Sequence, residues 1–332
     1  MDIIKIGSIG SGPIVRTTLR CLRGLDGVRI AAVCSRSGER AAALAAEFGA
    51  ERTWTNLEEL LADKDVNFVY LATPNSLHAG QVRQALEAGK HVLCEKPFCT
   101  RAEDAEALFG LAERKGLLLF ETAATTYLPN YRLLRESLPK LGRIRLVTAN
   151  YSQYSKRYDL LRQGELPNIF NPAFAGGCLM DIGFYNLLLN IALFGMPAKA
   201  EYHPNWFVLP DGGRIDTSGV ALLQYPGFLS VNVCAKDTWG ENFFQIEGED
   251  GWLCVRGGSN GLHSLSLETR DGREELNDQS DNNHWSYEFS ELVRLLRAED
   301  HAVCAAQRTL TVETVRLMEG LRRDAGLVFP GA

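Results

Sequence analysis

The stretch HVLCEKPFC, residues 91–99, ends an apolar run with a charged pair and a proline. Burial of the run is favourable, whereas a lysine at its tip is costly unless it is solvated or has a task. Pro97 fixes its own φ angle and donates no backbone hydrogen bond, which restricts the turn that contains the lysine. We interpret Lys96 as a lysine that a buried strand holds at a functional position. The alternative is a surface lysine paired with Glu95.

A second group lies in the apolar stretch 178–195, which is predicted to be one helix. Asp181 and Tyr185 are four residues apart and therefore share a face of that helix. A positive charge lowers the pKa of a nearby tyrosine hydroxyl, which then donates or accepts a proton. We predict Lys96, Asp181 and Tyr185 as catalytic residues. The alternatives are an aspartate that caps a local turn and a tyrosine that fills the core.

The segment GSGPIV, residues 10–15, joins a strand pattern to a helix pattern. Two glycines allow a tight turn and let a pyrophosphate approach backbone N–H groups at a helix N-terminus. We therefore predict dinucleotide binding at Gly10, Gly12, Pro13 and Ile14. A plain tight turn would also explain the two glycines, and Val15 stands where the dinucleotide fingerprint has a third small residue.

The end of the second strand pattern indicates which dinucleotide is bound. An NAD site usually places an acidic residue there, whereas this chain has Ser35 and Arg36. A serine can donate to a 2′-phosphate and a guanidinium can pair with it, so NADP is favoured over NAD. The alternative is a solvated loop arginine.

Polar residues also follow the next strand patterns at the edge where open α/β sheets bind ligands. Thr73, Pro74 and Asn75 come after the apolar run 66–73, and we assign them to the cofactor site. His78 is included with them, although helix capping or packing is the preferred interpretation of its side chain. The same cofactor site includes the residues that end the strand at 91–95, namely Glu95, Lys96 and Pro97.

Short, doubly apolar strands alternate with helices of 10–15 residues up to residue 121, which predicts a doubly wound α/β domain at 1–122. After it, consecutive strand patterns separated by short turns predict an α+β domain at 123–332 with an open, mostly antiparallel sheet. Two closing helices are expected at 285–298 and 309–324, and the closing helix could pack back on the first domain.

The composition excludes several classes of function. A net charge of −6 argues against a nucleic-acid or anionic-membrane surface. No apolar run reaches the roughly 18 residues of a membrane helix, and the early strand pattern leaves no room for a signal peptide, so a cytoplasmic location is expected. The eight cysteines and six histidines show no zinc-ligand spacing, and no metal site is expected.

Several motifs together resemble the Gfo/Idh/MocA (glucose–fructose oxidoreductase / inositol dehydrogenase) family. They are the GxG turn at 10–12, TPNSLH at 73–78, AGKHVLCEKP at 88–97, GGCLMDIGFY at 176–185 and the closing TLTVETVRLMEGLRRDAGLVFP at 309–330. The resemblance implies a Rossmann domain, an open-faced sheet, NAD(P), and oxidation or reduction at a carbinol or carbonyl carbon of a sugar, polyol or dihydrodiol. It also implies a cis Lys96–Pro97 bond that places the lysine beside the nicotinamide.

Tyr185 stands where many family members have histidine, which resembles the glucose–fructose oxidoreductase and dihydrodiol dehydrogenase branch and its tendency to use NADP. The leading hypothesis is a hydride-transferring oxidoreductase, and the alternatives are a non-catalytic nucleotide-sensing regulator and a lyase or glycosidase that uses nicotinamide transiently. A homodimer or homotetramer is expected, because the open sheet would otherwise expose apolar residues at alternating positions. These residues are Val220, Leu222, Val231 and Val233.

Overall fold

Two sheets organise the chain, and the computed structural model describes residues 3–330. The chain divides into a first unit, Met1–Ala123 with Trp285–Val312, and a second unit, Ala124–His284 with Glu313–Ala332. The boundary between the predicted dinucleotide-binding domain, 1–122, and the predicted substrate domain, 123–332, stays a prediction.

The first unit contains a six-stranded parallel sheet in the order β3-β2-β1-β4-β5-β6. Its strands are β1 (Ile4–Ile9), β2 (Val28–Cys34), β3 (Arg52–Trp54), β4 (Phe68–Leu71), β5 (His91–Glu95) and β6 (Leu119–Thr122). Every residue of β4 and β6 is buried, as the apolar runs predict for strands covered on both faces. The predicted Rossmann-type sheet is confirmed. The three-residue edge strand β3 was not predicted, because its sequence Arg-Thr-Trp has no apolar run.

Helices connect these strands and cover the sheet. They are α1 (Pro13–Arg23), α2 (Gly38–Phe48), α3 (Leu57–Ala62), α4 (His78–Glu87) and α5 (Ala102–Arg114). The residues of α9 (His284–Ala298) from Trp285 onward and those of α10 (His301–Ala325) up to Val312 also group with this unit. The last helix begins earlier than the predicted residue 309, since HAVCAAQR continues the helical pattern toward the N-terminus.

The second unit contains an eight-stranded sheet in the order β14-β13-β12-β11-β7-β10-β9-β8. Its strands are β7 (Ile144–Ser152), β8 (Lys199–Val208), β9 (Arg214–Tyr225), β10 (Phe228–Ala235), β11 (Phe243–Gly248), β12 (Gly251–Arg256), β13 (Ser264–Thr269) and β14 (Gly272–Leu276). Among the described strand pairs of this second sheet, only β7 and β10 are parallel, so the mostly antiparallel sheet is confirmed. The edge strand β14 was not predicted, because its polar sequence GREEL does not alternate.

Three α-helices precede or interrupt this sheet, namely α6 (Pro129–Ser137), α7 (Lys156–Arg162) and α8 (Phe184–Phe194). Helix α8 packs on one sheet face through buried amides: Asn190 donates to Asn232 at 2.8 Å and accepts from the Ser230 hydroxyl at 2.8 Å. Val231 and Val233 alternate with these buried strand residues and are half-buried. One face of the sheet is therefore packed and the other is partly open.

The predicted helix 178–195 is not uniform. Its first turn, Leu179–Gly183, has π-helical geometry, and regular α-helix begins at Phe184. The 172–194 segment is also long and apolar enough, by length and composition, to cross a membrane, with 72% of its most apolar window buried inside the protein. The expectation that no run reaches this length was wrong. Because most of this window is buried, we interpret the segment as a core helix.

Candidate active site

The first βα turn has the backbone geometry of a phosphate-binding turn. Gly10 has a φ of 119°, and a Cβ at this position would collide with the carbonyl oxygen of Ala72. Gly12 is the N-cap of α1, and a Cβ on it would meet nothing within 4 Å. Pro13 occupies the first helical turn, and the half-buried Ile14 follows it. The turn thus leaves open space in front of the α1 N-terminus, where backbone N–H groups favour an anion.

The end of β2 lies next to this turn, because Ile9 of β1 pairs with Cys34. Ser35 is buried, and its hydroxyl donates to the Ser11 hydroxyl at 3.2 Å. Arg36 is exposed, and among the described residues no hydrogen bond or ion pair engages its guanidinium. A serine–arginine pair of this kind can meet a ribose 2′-phosphate, whereas an acidic residue at the same place would repel it.

His78 ties two loops of the sheet edge together. Its ring is fully buried, with Nδ1 3.0 Å from the Pro97 carbonyl oxygen and Nε2 2.9 Å from the Thr73 carbonyl oxygen. Burial lowers the pKa of His78, so the neutral ring donates to one carbonyl at a time. The side chain positions the Thr73–Asn75 loop against the turn after β5. Thr73 itself donates to Gln81 at 2.6 Å.

The turn that carries Lys96 is held from inside the first unit. The Lys96–Pro97 bond is cis, as the family resemblance implied. Glu95 is only 8% exposed, accepts the Tyr70 hydroxyl at 2.7 Å and accepts the Lys96 backbone N–H at 3.3 Å. Burial raises the pKa of Glu95, and the Tyr70 hydrogen bond opposes that rise. Glu95 therefore fixes the backbone of the turn, and Lys96 follows half-buried at its tip.

Two further buried carboxyls in this unit were not predicted from the sequence. Glu121 of β6 accepts the Phe98 backbone N–H at 2.8 Å and the Thr311 hydroxyl at 2.9 Å, and burial raises the pKa of its carboxyl to about 7. Glu288 of α9 is 2% exposed, and burial together with the charges of Glu95 and Glu121 raises its pKa well above the usual value. The only sequence signal is a glutamate inside an apolar pattern, as at LLLFE.

In the second unit, a buried aspartate anchors the start of the π-helical turn. Asp216 accepts the Leu179 backbone N–H at 2.7 Å and the Tyr202 hydroxyl at 2.8 Å. Its other oxygen packs against Gly177, where a Cβ would collide with it. Burial raises the pKa of Asp216 to about 6. Gly177 is therefore required by a carboxylate that lies against the backbone, whereas Gly176 is required by the carbonyl oxygen of Ile169.

Asp181 forms an ion pair with a lysine that the sequence analysis missed. The Nζ atom of Lys236 lies 2.5 Å from Oδ2 of Asp181, and the two side chains are 4% and 27% exposed. Lys236 directly follows β10, so it repeats the signal that drew attention to Lys96: an apolar strand that ends in a lysine. The lone aspartate of an apolar helix has a partner here, which orients its carboxylate.

Tyr185 lies at the start of α8 among aromatic rings. Its ring meets Tyr151 edge-on at 5.7 Å between centroids and meets Phe184 at 5.4 Å. The side chain is half-buried, so its position is fixed by packing while part of it remains accessible. Asp181 and Lys236 form a pair, Tyr185 follows Asp181 by four residues, and all three belong to the second unit. The predicted cofactor residues gather in the first unit at the carboxyl edge of its sheet.

Comparisons with known proteins match both units. A model described as "Oxidoreductase family, NAD-binding Rossmann fold" matches residues 4–123, and one described as "GFO/IDH/MocA C-terminal domain" matches residues 134–254. A relative named scyllo-inositol 2-dehydrogenase (NADP(+)) IolU, from Bacillus subtilis (strain 168), is 34% identical over 99% of this chain and 99% of its own. The chain belongs to the Gfo/Idh/MocA family.

Other Gfo/Idh/MocA relatives agree with this placement. A trans-1,2-dihydrobenzene-1,2-diol dehydrogenase from Sus scrofa is 30% identical over 75% of this chain and 71% of its own. A crystal structure of a 3-ketoreductase from Actinomadura kijaniata, in complex with NADP and TDP-benzene, covers 97% of this chain and 98% of its own with a TM-score of 0.84 and 25% identity. The expected class, a hydride-transferring oxidoreductase with a nicotinamide cofactor, is confirmed.

Proposed function

We propose that this chain is an NADP-dependent oxidoreductase that interconverts a hydroxyl and a carbonyl group on a sugar, a polyol or a dihydrodiol. The observation that carries the proposal is the cis Lys96–Pro97 turn. Contacts with Glu95, Glu121 and His78 fix its backbone. The strand that precedes it belongs to the same sheet as the strand that precedes Gly10. Three buried side chains on one turn are more than a surface lysine needs. They support a lysine whose position matters for chemistry.

The residues of the first unit fit NADP. The turn at Gly10, Gly12, Pro13 and Ile14 would receive the pyrophosphate on the α1 N-terminus. Ser35 and the free guanidinium of Arg36 would meet the 2′-phosphate. Thr73, Pro74, Asn75 and the turn from Glu95 to Pro97 would border the nicotinamide, with His78 holding the two loops together. When bound, the cofactor supplies the hydride acceptor or donor.

The residues of the second unit supply the proton chemistry. During oxidation, the carbinol carbon loses a hydride to the nicotinamide and its oxygen loses a proton, which the phenolate oxygen of deprotonated Tyr185 accepts. Lys96 stabilises negative charge on the substrate oxygen and on the tyrosine. Asp181, oriented by its ion pair with Lys236, accepts a hydrogen bond from a neighbouring substrate hydroxyl and so orients the ring. Reduction runs the same transfers in reverse.

The experiment that tests this function is a screen of sugars, polyols and dihydrodiols for reduction of NADP, followed at 340 nm. We expect turnover with at least one cyclic polyol or sugar and a lower KM for NADP than for NAD. Absence of turnover with every class, together with tight NADP binding in a titration, would instead support the nucleotide-sensing regulator. Turnover of a substrate without accumulation of reduced cofactor would reveal transient nicotinamide chemistry.

A homo-oligomer and a cytoplasmic location remain part of the proposal. Val220, Leu222, Val231 and Val233 are half-buried along the partly open face of the second sheet. A paired copy of that face would remove a contiguous apolar strip from water. We expect a dimer or tetramer in sedimentation velocity at micromolar concentration. A monomer at that concentration would contradict the expectation, and Val231→Glu should shift an assembled protein toward the monomer.

A further inference from the structure

The indole of Trp239 is the most exposed large apolar side chain among the described residues, at 80%. It does not extend freely into solvent. Its ring stacks on the ring of Tyr154 with centroids 5.4 Å apart and planes only 7° from parallel. One face of the indole is therefore partly covered by Tyr154 and the opposite face is open, which makes a flat aromatic surface.

The ring beneath Trp239 is itself held in place. The Tyr154 hydroxyl donates to the Asp159 carboxylate at 2.6 Å, which fixes the rotation of the ring. Tyr158 meets Tyr154 edge-on at 6.1 Å and continues to the buried Phe170 at 6.2 Å. The aromatic surface thus has a rigid base that reaches into the core. A flat, pre-organised surface binds a ligand without a large loss of conformational entropy.

The chain path brings this surface to the same sheet edge as the catalytic group of the second unit. Strands β7 and β10 are parallel neighbours, and their last residues, Ser152 and Ala235, pair with each other. Lys236, which pairs with Asp181, precedes Trp239 by three residues. On the other strand, Tyr151 meets Tyr185 and precedes Tyr154 by three residues. Two independent connections therefore link the surface to the two predicted catalytic residues.

We propose that Trp239, stacked on Tyr154, is a binding platform for a six-membered polyhydroxylated ring whose hydroxyls are equatorial. This inference rests on the proposed function and names the substrate class of the same site. Such a ring has faces made of C–H bonds and a rim of hydroxyls. The C–H face covers the open side of the indole, and the rim remains available to Asp181. An axial hydroxyl would lie against the indole and lose its hydrogen bonds to water without replacement.

The test compares two stereoisomers as probes, with the full chain saturated with NADP. All hydroxyls of scyllo-inositol are equatorial, whereas D-chiro-inositol has one axial hydroxyl on each face. Saturation-transfer NMR should show contact of the axial C–H protons of scyllo-inositol with the protein. Trp239→Ala should raise the Kd for scyllo-inositol about tenfold and remove the preference over D-chiro-inositol. Trp239→Phe should recover part of both effects.

The matched control is Trp252→Ala, since Trp252 lies on β12 and contacts Arg273 rather than the platform. We expect it to leave both Kd values unchanged. Loss of apolar area at an exposed position should not unfold the Trp239 variants, and NADP affinity checks this directly. Binding of scyllo-inositol without turnover would support the platform and contradict the proposed reaction on this ring. Equal affinity of Trp239→Ala and wild type, or no detectable binding of scyllo-inositol to wild type, would overturn the platform.

Discussion

Two segments that carry predicted catalytic residues are anchored in the same way in the two units. In the first unit, the carboxylate of Glu121 accepts the N–H of Phe98, two residues after Lys96. In the second, the carboxylate of Asp216 accepts the N–H of Leu179, two residues before Asp181. Each anchor comes from a neighbouring strand and is buried. A buried acceptor on a backbone N–H fixes the segment without using the catalytic side chain.

The anchors differ in how completely they are satisfied. Both oxygens of Glu121 accept hydrogen bonds, whereas Oδ1 of Asp216 has no partner in the described part of the chain and packs against Gly177. The first unit therefore holds its lysine by backbone geometry and a closed hydrogen-bond network. The second unit relies on side-chain pairs such as Asp181–Lys236 and on aromatic packing. Backbone anchoring, as in the first unit, suits a cofactor that stays the same. Side-chain pairs, as in the second unit, suit substrates that differ between proteins, since side chains change without a change of fold.

The first prediction concerns the cofactor half alone, meaning the predicted NADP-binding residues of the first unit. Arg36→Asp places a carboxylate where the 2′-phosphate would bind and should weaken NADP binding by about 1.5–3 kcal/mol, or roughly 10- to 150-fold. Binding of NAD should be unchanged or tighter, because a carboxylate accepts from a 2′-hydroxyl. Calorimetric titrations with both dinucleotides measure this. Arg40→Asp, one turn into α2, is the control, and unchanged NADP affinity in Arg36→Asp would make Arg36 a solvated loop residue.

A second prediction concerns the substrate half, meaning the predicted substrate-binding residues of the second unit. Lys236→Met removes the ammonium group that pairs with Asp181 and should lower kcat/KM about tenfold while the Kd for NADP stays at its wild-type value. The double variant Asp181→Asn/Lys236→Met removes both charges. A double-mutant cycle on the free energy of unfolding should give a coupling of about 1–3 kcal/mol. A coupling near zero would show that the ion pair contributes no stability.

The smallest effect concerns pH and compares the two anchors directly. The folded pKa of Glu121, about 7, lies above its ordinary value of 4.5, so its stabilising contribution is complete below pH 4.5 and is lost as the pH rises through 7. For Asp216 the corresponding window runs from 3.8 to about 6. Glu121→Gln should therefore reduce the fall in melting temperature between pH 5 and 8. Asp216→Asn should reduce the fall between about pH 4 and 6, and identical pH profiles for wild type and both variants would contradict these assignments.

The strands and turns of the cofactor half could be predicted from the sequence because their signals are local, and the roles of its residues stay predictions. A glycine turn, a strand and a helix follow one another within GSGPIV, and the cis Lys96–Pro97 turn lies within one motif. The parallel sheet then brings such turns to one edge, which is a consequence of topology alone.

The substrate half could be predicted only in part, because its contacts join residues far apart in the chain. Lys236 is 55 residues from Asp181, and Asp216 is 37 residues from Leu179. No sequence pattern around one residue of either pair identifies its partner. The π-helical turn at Leu179–Gly183 was also missed, since apolar periodicity cannot separate it from α-helix. A lysine that ends an apolar strand was the one available signal, and it applied to Lys236 as well as to Lys96.

The central claim is that Tyr185 transfers the proton while Lys96 stabilises the developing charge. The most direct test is the pH dependence of kcat for carbonyl reduction by Tyr185→Phe, the direction in which the phenol donates the proton, on the ketone of an established substrate and with Lys96→Met measured beside it. The phenylalanine ring keeps the contacts with Tyr151 and Phe184, so only the hydroxyl is lost. We expect kcat to fall by about 10²–10⁴-fold, the basic limb of the profile to disappear and NADP affinity to stay close to wild type. Near-full turnover with an unchanged pH profile would contradict the claim and make Tyr185 a structural residue.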